Sequence, residues 1–223
     1  MCGRFALYSS RGRVARLLGI NHPVGDQIAR YNVAPGTQIS LALAPQTLSA
    51  LQLGFSWWGF HPTWTEGRNA PRPINARAEN VAKSRYFRHA FAHRRGLVPA
   101  DGYYEWRQED GHKQPYYIQS KNGEILMLAA IWEPTGHGTE TSCAILTEPA
   151  FGPLLEVHSR MPVVLAQACW SDWLDPSLVD RKTVREAVKR VPPDSLEIYP
   201  VSTAVNRPSN NAPDLIAPAS KQG

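Results

Sequence analysis

The sequence predicts an α+β fold in a single domain, with a largely antiparallel, barrel-like β-sheet core and short peripheral helices. Its 223 residues, 43% of them hydrophobic, suit one large globular domain. Strand-like runs outnumber helical ones and do not alternate with them as βαβ units would. No internal repeat or clean linker divides the chain. We expect the domain to cover residues 1–206, followed by a polar, loosely ordered tail over 207–223.

The composition of the chain indicates its cellular compartment and the class of molecule it binds. No apolar run approaches the roughly 18 residues of a membrane span. The arginines near the N-terminus have no apolar stretch between them, which argues against a signal peptide. The three cysteines are too widely spaced for a disulfide framework or a metal site, so we expect a reducing cytosol, no metal and no cofactor. A net charge of +5, carried mostly by arginine, makes nucleic acid a plausible partner.

The first half of the chain contains one helix and several strands. Ser9 or Ser10 can cap a short helix that ends at Gly19 and presents one apolar face. Residues 30–36 contain Pro-Gly, and a turn-rich loop and a functional segment are equally good interpretations of them. Strands are predicted over 39–44 and 51–57, the second with alternating Leu51, Leu53, Phe55 and Trp57.

The second half is also rich in strands. Residues 84–95 have helical periodicity, with Phe87, Ala90 and Phe91 facing inward. Asn122-Gly123, between apolar runs on either side, is the strongest hairpin signal in the sequence. Further strands are predicted over 97–99, 103–106, 143–147, 161–165 and 196–201, and short helices over 166–173 and 184–191.

Cys2 is the residue with the most distinctive chemistry. If Met1 is removed, the chain begins with a cysteine that carries a free α-amine and a thiol on adjacent carbons. Such a 1,2-aminothiol reacts with aldehydes: the amine forms an imine, and the thiol closes a thiazolidine ring. The alternative is that Cys2 is incidental to a frayed terminus.

Three other residues could assist this chemistry. Glu105 lies in a strand of bulky aromatic residues, where a carboxylate either faces solvent or has a raised pKa. His158 could protonate a sugar ring oxygen, and the amide of Asn75 could hold a hydroxyl or an oxyanion. Each of them has an ordinary structural interpretation when taken singly.

Six short blocks stand out in order along the chain: Met1-Cys2-Gly3-Arg4-Phe5, Arg30-Tyr31-Asn32-Val33-Ala34-Pro35-Gly36, Trp58-Gly59, Ile74-Asn75-Ala76-Arg77-Ala78-Glu79, Pro99-Ala100-Asp101-Gly102-Tyr103-Tyr104-Glu105-Trp106 and His158-Ser159-Arg160-Met161-Pro162. Together they resemble the SRAP (SOS-response-associated peptidase) domain family. These are abasic-site processing proteins that crosslink to single-stranded DNA. The resemblance extends from residue 1 to about 206, and six blocks in register are far more specific than any one of them.

The resemblance implies a role for each matched residue. Cys2 would be the crosslinking and autoprocessing nucleophile, and Asn75, Glu105 and His158 would line its pocket. The implied DNA contacts are Arg4, Arg77, Arg85 and Arg160 for phosphates, Trp64 and Trp106 for bases, and Thr147 as a pocket hydroxyl.

The function so implied is sensing of abasic sites in single-stranded DNA through a covalent thiazolidine link to Cys2, with autopeptidase activity that releases Met1. A cytoplasmic monomer, nucleoid-associated when bound to DNA, would fit this function. Two alternatives stay open. One is an N-terminal-nucleophile cysteine amidohydrolase, and the other is a non-catalytic module that binds single-stranded DNA.

Overall fold

The computed structural model describes residues 2–21, 28–109, 111–136, 138 and 140–219. Its strands are β1 (Phe5–Leu7), β2 (Arg30–Val33), β3 (Gln38–Leu43), β4 (Gln52–Trp58), β5 (Asn75–Arg77), β6 (Arg95–Ala100), β7 (Gly102–Glu109), β8 (His112–Ser120), β9 (Leu126–Pro134), β10 (Thr141–Pro149), β11 (Arg160–Pro162) and β12 (Leu196–Pro200). Its α-helices are α1 (Arg11–Leu17), α2 (Arg88–His93), α3 (Trp170–Leu174) and α4 (Arg181–Ala187). No helix in the described part of the chain has the length and apolar character needed to cross a membrane.

Five strands close into a barrel. The order β10-β4-β3-β6-β9 returns to its start because β9 also pairs with β10. The pairings of β10 with β4 and with β5 are parallel, and the others are antiparallel. The prediction of an α+β domain with a largely antiparallel, barrel-like core and short helices is confirmed.

A second sheet packs against the barrel and contains the start of the chain. Its order is β12-β8-β7-β1-β2, and Phe5 of β1 pairs with Tyr103 of β7. One face of this sheet joins the barrel core, while Tyr104 and Tyr117 of the other face pack with Leu215 from the C-terminal segment. This arrangement fixes Cys2, just before β1, beside the middle of β7.

The helices are short and mostly lie where the sequence predicts them. Ser10 caps α1, since its hydroxyl accepts a hydrogen bond from the backbone of Arg13. Helix α2 is shorter than the predicted 84–95, because residues 85–87 form a turn and β6 begins at Arg95. Helix α4 begins earlier than predicted because the Asp180 carboxylate caps it at the backbone of Thr183, 2.8 Å away.

The predicted hairpin at Asn122-Gly123 is wrong. Gly123 does turn the chain, with φ of +66° and a backbone bond to the carbonyl of Ser120. However, β8 pairs with β7 and β12, whereas β9 pairs with β6 and β10. The turn therefore passes the chain from one sheet to the other. The hairpin that contains β8 is β7–β8, closed by the pair Glu109 and His112.

The alternation in β4 does not correspond to one buried face: Phe55 and Trp57 are each 41% exposed, while Ser56 and Trp58 are buried. One further expectation needs correction. The first part of the supposed loop 30–36 is strand β2, antiparallel to β1.

The expected loose order of the tail does not hold for residues 207–219. Leu215 is 2% exposed, and Tyr199 donates its hydroxyl hydrogen to the carbonyl of Ile216. The side chain of Asn32 donates to the carbonyls of Arg207 and Asn210. The segment thus covers one face of the second sheet.

Candidate active site

Cys2 lies inside the protein and is held by a residue of β5. It has no exposed surface, and the side-chain Nδ2 of Asn75 donates to its carbonyl oxygen at 2.8 Å. Asn75 is positioned because β5 runs parallel to β10, where it pairs with Ile145. The other amide atom of Asn75, Oδ1, is buried and accepts no hydrogen bond from the described residues.

Glu105 faces the same interior region from β7. It follows Tyr103 by two positions, so both side chains lie on the face of the strand turned toward Cys2. The residue is 4% exposed, and burial raises its pKa to about 7. Burial, and then the charge of Glu105, raise the pKa of the Cys2 thiol far above its usual value. Cys2 is therefore a protonated thiol that needs a base before it can react.

His158 approaches Glu105 from the segment before β11. Its Nδ1 lies 4.0 Å from Oε2 of Glu105, which is an electrostatic contact rather than a hydrogen bond. The backbone N–H of Arg160 donates to the same Nδ1 at 2.9 Å. The carbonyl oxygen of Arg160 also lies 3.1 Å from Nδ1, so these contacts fit a neutral ring with its hydrogen on either nitrogen. Burial lowers the pKa of His158, which favours the neutral ring.

Arg160 joins the histidine segment to β10 and to Glu79. Its two terminal nitrogens contact the two carboxylate oxygens of Glu79 at 2.5 and 3.0 Å. Its Nη2 also donates to the carbonyl and hydroxyl oxygens of Thr147. These hydrogen bonds to Arg160 hold the pKa of Glu79 at about 2. Arg77 is exposed beside this group, opposite Thr147 in the β5–β10 pairing.

An open cleft of about 680 Å³ begins at Glu105 and His158 and extends past Trp106. The indole Nε1 of Trp106 donates to Oδ1 of Asn206 at 2.8 Å. The guanidinium of Arg4 lies 5.9 Å from the Trp106 ring and donates to Oδ1 of Asn32 and to the carbonyl of Val205. Burial lowers the pKa of Arg4. Arg4 is thus anchored between elements, which was not apparent from the sequence.

Among the described residues, no hydrogen bond, ion pair or ring contact joins Trp64 or Arg85 to this group. Trp64 is 57% exposed, and its ring makes an edge contact with Tyr86 at 5.4 Å. Arg85 is exposed and precedes Tyr86 in the chain. The contacts and strand pairings described above join the other nine predicted site residues: Cys2, Arg4, Asn75, Arg77, Glu105, Trp106, Thr147, His158 and Arg160.

Sequence reasoning missed several residues of the site. Glu79 belongs to the same block as Asn75 but had no assigned role. Gln108 and Lys113 also line the cleft, and they are opposite each other in the β7–β8 hairpin. The dipeptide Asp110-Gly111 was an available hairpin signal for this pairing. Asn206 had no such local signal.

The arrangement combines a nucleophile, a carboxyl group able to exchange a proton near neutral pH, and a neutral imidazole donor. Glu105 can accept and return a proton because its pKa is close to 7. Asn75 fixes the backbone of the nucleophile. Among the described residues, no group of three or more His, Cys, Asp or Glu side chains is arranged to hold a metal ion.

Comparison with known proteins gives consistent matches over nearly the whole chain. The family model for SOS response associated peptidase (SRAP) matches residues 1–208. The abasic site processing protein YedK of Escherichia coli (strain K12) is 34% identical over 226 residues, which cover 98% of this chain and 100% of YedK. The abasic site processing protein YoqW of Bacillus subtilis (strain 168) is 33% identical over 225 residues, which cover 97% and 99% of the two chains.

Solved structures share the fold. A protein from Bacteroides thetaiotaomicron superposes with a TM-score of 0.84, covering 98% of this chain and 100% of its own. At 23% identity this likeness concerns the fold alone. A phage-related protein from Bordetella bronchiseptica is 30% identical with a TM-score of 0.74, covering 91% and 95% of the two chains.

Proposed function

The chain belongs to the SOS response associated peptidase (SRAP) family, and we propose that it processes abasic sites in single-stranded DNA by bonding Cys2 covalently to the sugar. Relatives that match along the whole chain are named abasic site processing proteins. The observation that carries the proposal is the burial of Cys2 beside Glu105, together with the hydrogen bond from Asn75 to the carbonyl oxygen of Cys2.

The reaction starts from the open aldehyde of the abasic deoxyribose. After Met1 is removed, the α-amine of Cys2 adds to C1′, and loss of one water gives an imine. The thiol sulfur then bonds to C1′, and its proton passes to the nitrogen. The product is a thiazolidine, and the net change is the loss of one water molecule.

Each pocket residue has a step that suits its chemistry. Glu105 takes a proton from the amine and can return it to the departing water, since its pKa is about 7. His158 donates from Nε2 to the sugar ring oxygen, which favours ring opening. Asn75 offers its buried Oδ1 to a sugar hydroxyl while Nδ2 holds Cys2. Close approach of amine, thiol and aldehyde adds to the acceleration.

The protein would recognise the DNA through charged contacts to phosphates and stacking on neighbouring bases. A sugar without a base has no Watson–Crick edge that side chains could recognise. We assign phosphate contacts to Arg4, Arg77, Arg85 and Arg160. Trp64 and Trp106 would stack on neighbouring bases, and Thr147 would supply a hydroxyl. Arg160 would bind a phosphate either while it keeps its ion pair with Glu79 or after that ion pair breaks. We expect weak sequence preference and affinity that falls steeply with salt.

A second reaction of the same pocket is autoprocessing. With Met1 attached, the Cys2 thiol can attack the Met1 carbonyl carbon, so that the C–N bond breaks, the methionyl group passes to sulfur as a thioester and the Cys2 amine is freed. Water then hydrolyses the thioester, which releases methionine and regenerates the thiol, with Glu105 as the base. Intact mass of the freshly purified protein tests this: Glu105→Gln should retain Met1 more often than wild type in a host that lacks methionine aminopeptidase activity. Equal processing of both proteins would contradict it.

We also expect a monomer that acts in the cytoplasm and associates with the nucleoid when bound to DNA. Light scattering of the free protein and fractionation of cells before and after DNA damage would check these two points. A stable dimer or a membrane-bound pool would contradict them.

The decisive test is a denaturing gel after incubation with an abasic single-stranded oligonucleotide. Wild type should give a heat-stable adduct, and Cys2→Ala none. Cys2→Ser keeps the amine but cannot close the sulfur ring, so it should give only a labile imine that borohydride traps. Cys143→Ala is the matched control, because that cysteine is buried in β10 and should leave the adduct unchanged.

The same assay separates the rival functions. A heat-stable adduct with Cys2→Ala refutes the assignment of the nucleophile. Binding without any adduct in wild type indicates a non-catalytic module. Turnover of small amides without DNA, with no adduct, indicates an amidohydrolase.

A further inference from the structure

Tyr103 is a buried residue of the pocket wall to which the proposed chemistry gives no role. Its side chain has no exposed surface, and it precedes Glu105 by two positions in β7, so the two side chains share one face of the strand. Across the antiparallel pairing with β1, Tyr103 lies opposite Phe5, three residues after Cys2. Tyr103, Phe5 and Cys2 belong to the same cluster of buried side chains. The tyrosine therefore packs in the region that holds the nucleophile.

The hydroxyl group of Tyr103 is buried and has no hydrogen-bond partner among the described residues. An unpaired buried hydroxyl destabilises the folded state, and a phenylalanine would fill almost the same space without this penalty. Burial raises the pKa of Tyr103 well above its usual value, and the charges of Cys2 and then Glu105 raise it further. The hydroxyl therefore keeps its hydrogen as a donor, and it lies within electrostatic range of both groups.

Closure of the thiazolidine ring requires negative charge on a sulfur that is fully buried. Cys2 has no exposed surface, and burial and the charge of Glu105 both disfavour its thiolate form. A hydrogen bond from the backbone of Arg4 favours the thiolate. Anions that form in a buried site are stabilised by fixed donors directed at them. The unoccupied hydroxyl of Tyr103 supplies a second donor beside the one from Arg4.

We propose that the Tyr103 hydroxyl donates a hydrogen bond to the sulfur of Cys2 as the thiol loses its proton, and thereby accelerates closure of the thiazolidine ring. The inference rests on the proposed function and concerns only its last step. In that step the S–C1′ bond forms, the electron pair of the C=N bond moves to nitrogen, and the thiol proton passes to nitrogen. Tyr103 keeps its own hydrogen throughout, and it takes no part in forming the imine.

The test measures the lifetime of the imine. Wild type and Tyr103→Phe, both without Met1, react with an abasic single-stranded oligonucleotide, and samples are quenched in borohydride at successive times, denatured and alkylated. Borohydride reduces the imine to an amine and leaves the Cys2 thiol free for alkylation, whereas in the thiazolidine this sulfur is bonded to C1′. The imine of Tyr103→Phe should persist about tenfold longer than that of wild type, as expected for loss of a hydrogen bond to a charged group.

Two further measurements separate this role from a structural one. Total adduct after the borohydride quench should form at the wild-type rate in Tyr103→Phe, because the hydroxyl does not act on the amine. Urea unfolding should show Tyr103→Phe to be at least as stable as wild type, since the change removes an unpaired buried hydroxyl. Tyr117→Phe is the matched control, because Tyr117 is buried on the other face of the second sheet and should match wild type in imine lifetime.

Equal imine lifetimes in wild type and Tyr103→Phe would overturn the inference. Lower stability of Tyr103→Phe with both steps slowed would also overturn it, since that result indicates a structural role. Wild type that gives no adduct would overturn the proposed function and this inference together. A wild-type thiazolidine that Tyr103→Phe forms equally fast would overturn this inference alone and leave the proposed function supported.

Discussion

Asn75 donates from Nδ2 to the carbonyl oxygen of Cys2 at 2.8 Å, a bond between residues 73 positions apart in the sequence. It ties the reactive residue to β5, which is itself fixed to the barrel strand β10. The placement of the nucleophile therefore depends on a side chain of the barrel as well as on the short strand β1 that follows Cys2.

Asn75→Ala should slow adduct formation by about fivefold, because loss of one hydrogen bond to a buried carbonyl corresponds to about 1 kcal/mol. Single-turnover kinetics with a saturating abasic oligonucleotide measure this. Asn69→Ala, at an exposed position, is the control and should react at the wild-type rate. Unchanged kinetics in Asn75→Ala would show that this bond does not position Cys2.

Glu105 should make stability depend on pH. Burial raises its pKa from 4.5 to about 7, so the folded protein keeps a proton that the unfolded chain has released between these values. The stability associated with this proton is complete below about pH 4.5 and is lost as pH rises through 7. Relative to Glu105→Gln, wild type should lose about 3 kcal/mol across that window.

Urea unfolding of both proteins at pH 5 and pH 8 measures this difference. Glu124→Gln, at an exposed glutamate, should follow wild type. Parallel pH profiles for wild type and Glu105→Gln would mean that the folded-state pKa of Glu105 is not raised.

His158→Ala should separate binding from chemistry. The proposed role of the ring is to donate a proton to the sugar ring oxygen, so its removal should slow adduct formation by roughly 100-fold, as loss of a general acid does. Affinity for an oligonucleotide that carries a stable tetrahydrofuran analogue of the abasic site should change far less. His93→Ala, on the exposed side of α2, is the control. A large loss of affinity with an unchanged rate would assign His158 to binding.

Leu215→Ala should destabilise the protein by about 2–5 kcal/mol, because Leu215 is buried against Tyr104 and Tyr117. Thermal or urea unfolding measures this. Leu155→Ala removes the same atoms from a side chain that is 59% exposed and should cost much less. Equal stability of the two variants would mean that residues 207–219 do not pack stably against the second sheet.

The sequence was sufficient for most of the elements, with β2 as an exception, but not for their pairing. Alternation in β4 identified two faces, yet it could not show that Ser56 and Trp58 face inward while Phe55 and Trp57 stay exposed. Similarly, Asn122-Gly123 signals a reversal of the chain, but the hydrogen bonds on either side depend on strands that are distant in sequence.

The chemistry of the four pocket residues made each of them a candidate, but only the family resemblance joined them into one site. No local pattern connects Cys2 with Asn75, Glu105 and His158, because the barrel and the second sheet bring them together. Asn206 was missed for the same reason: its contact with Trp106 spans 100 positions, and nothing in its own neighbourhood indicates it.

The most direct test of the covalent mechanism is the intact mass and thiol count of the adduct. We expect the mass of the protein without Met1 plus that of the oligonucleotide, less one water. After denaturation, only Cys143 and Cys169 of the three cysteines should react with an alkylating agent, because the sulfur of Cys2 is bonded to C1′. An unchanged protein mass, or an adduct in which Cys2 is still alkylated, would contradict the mechanism.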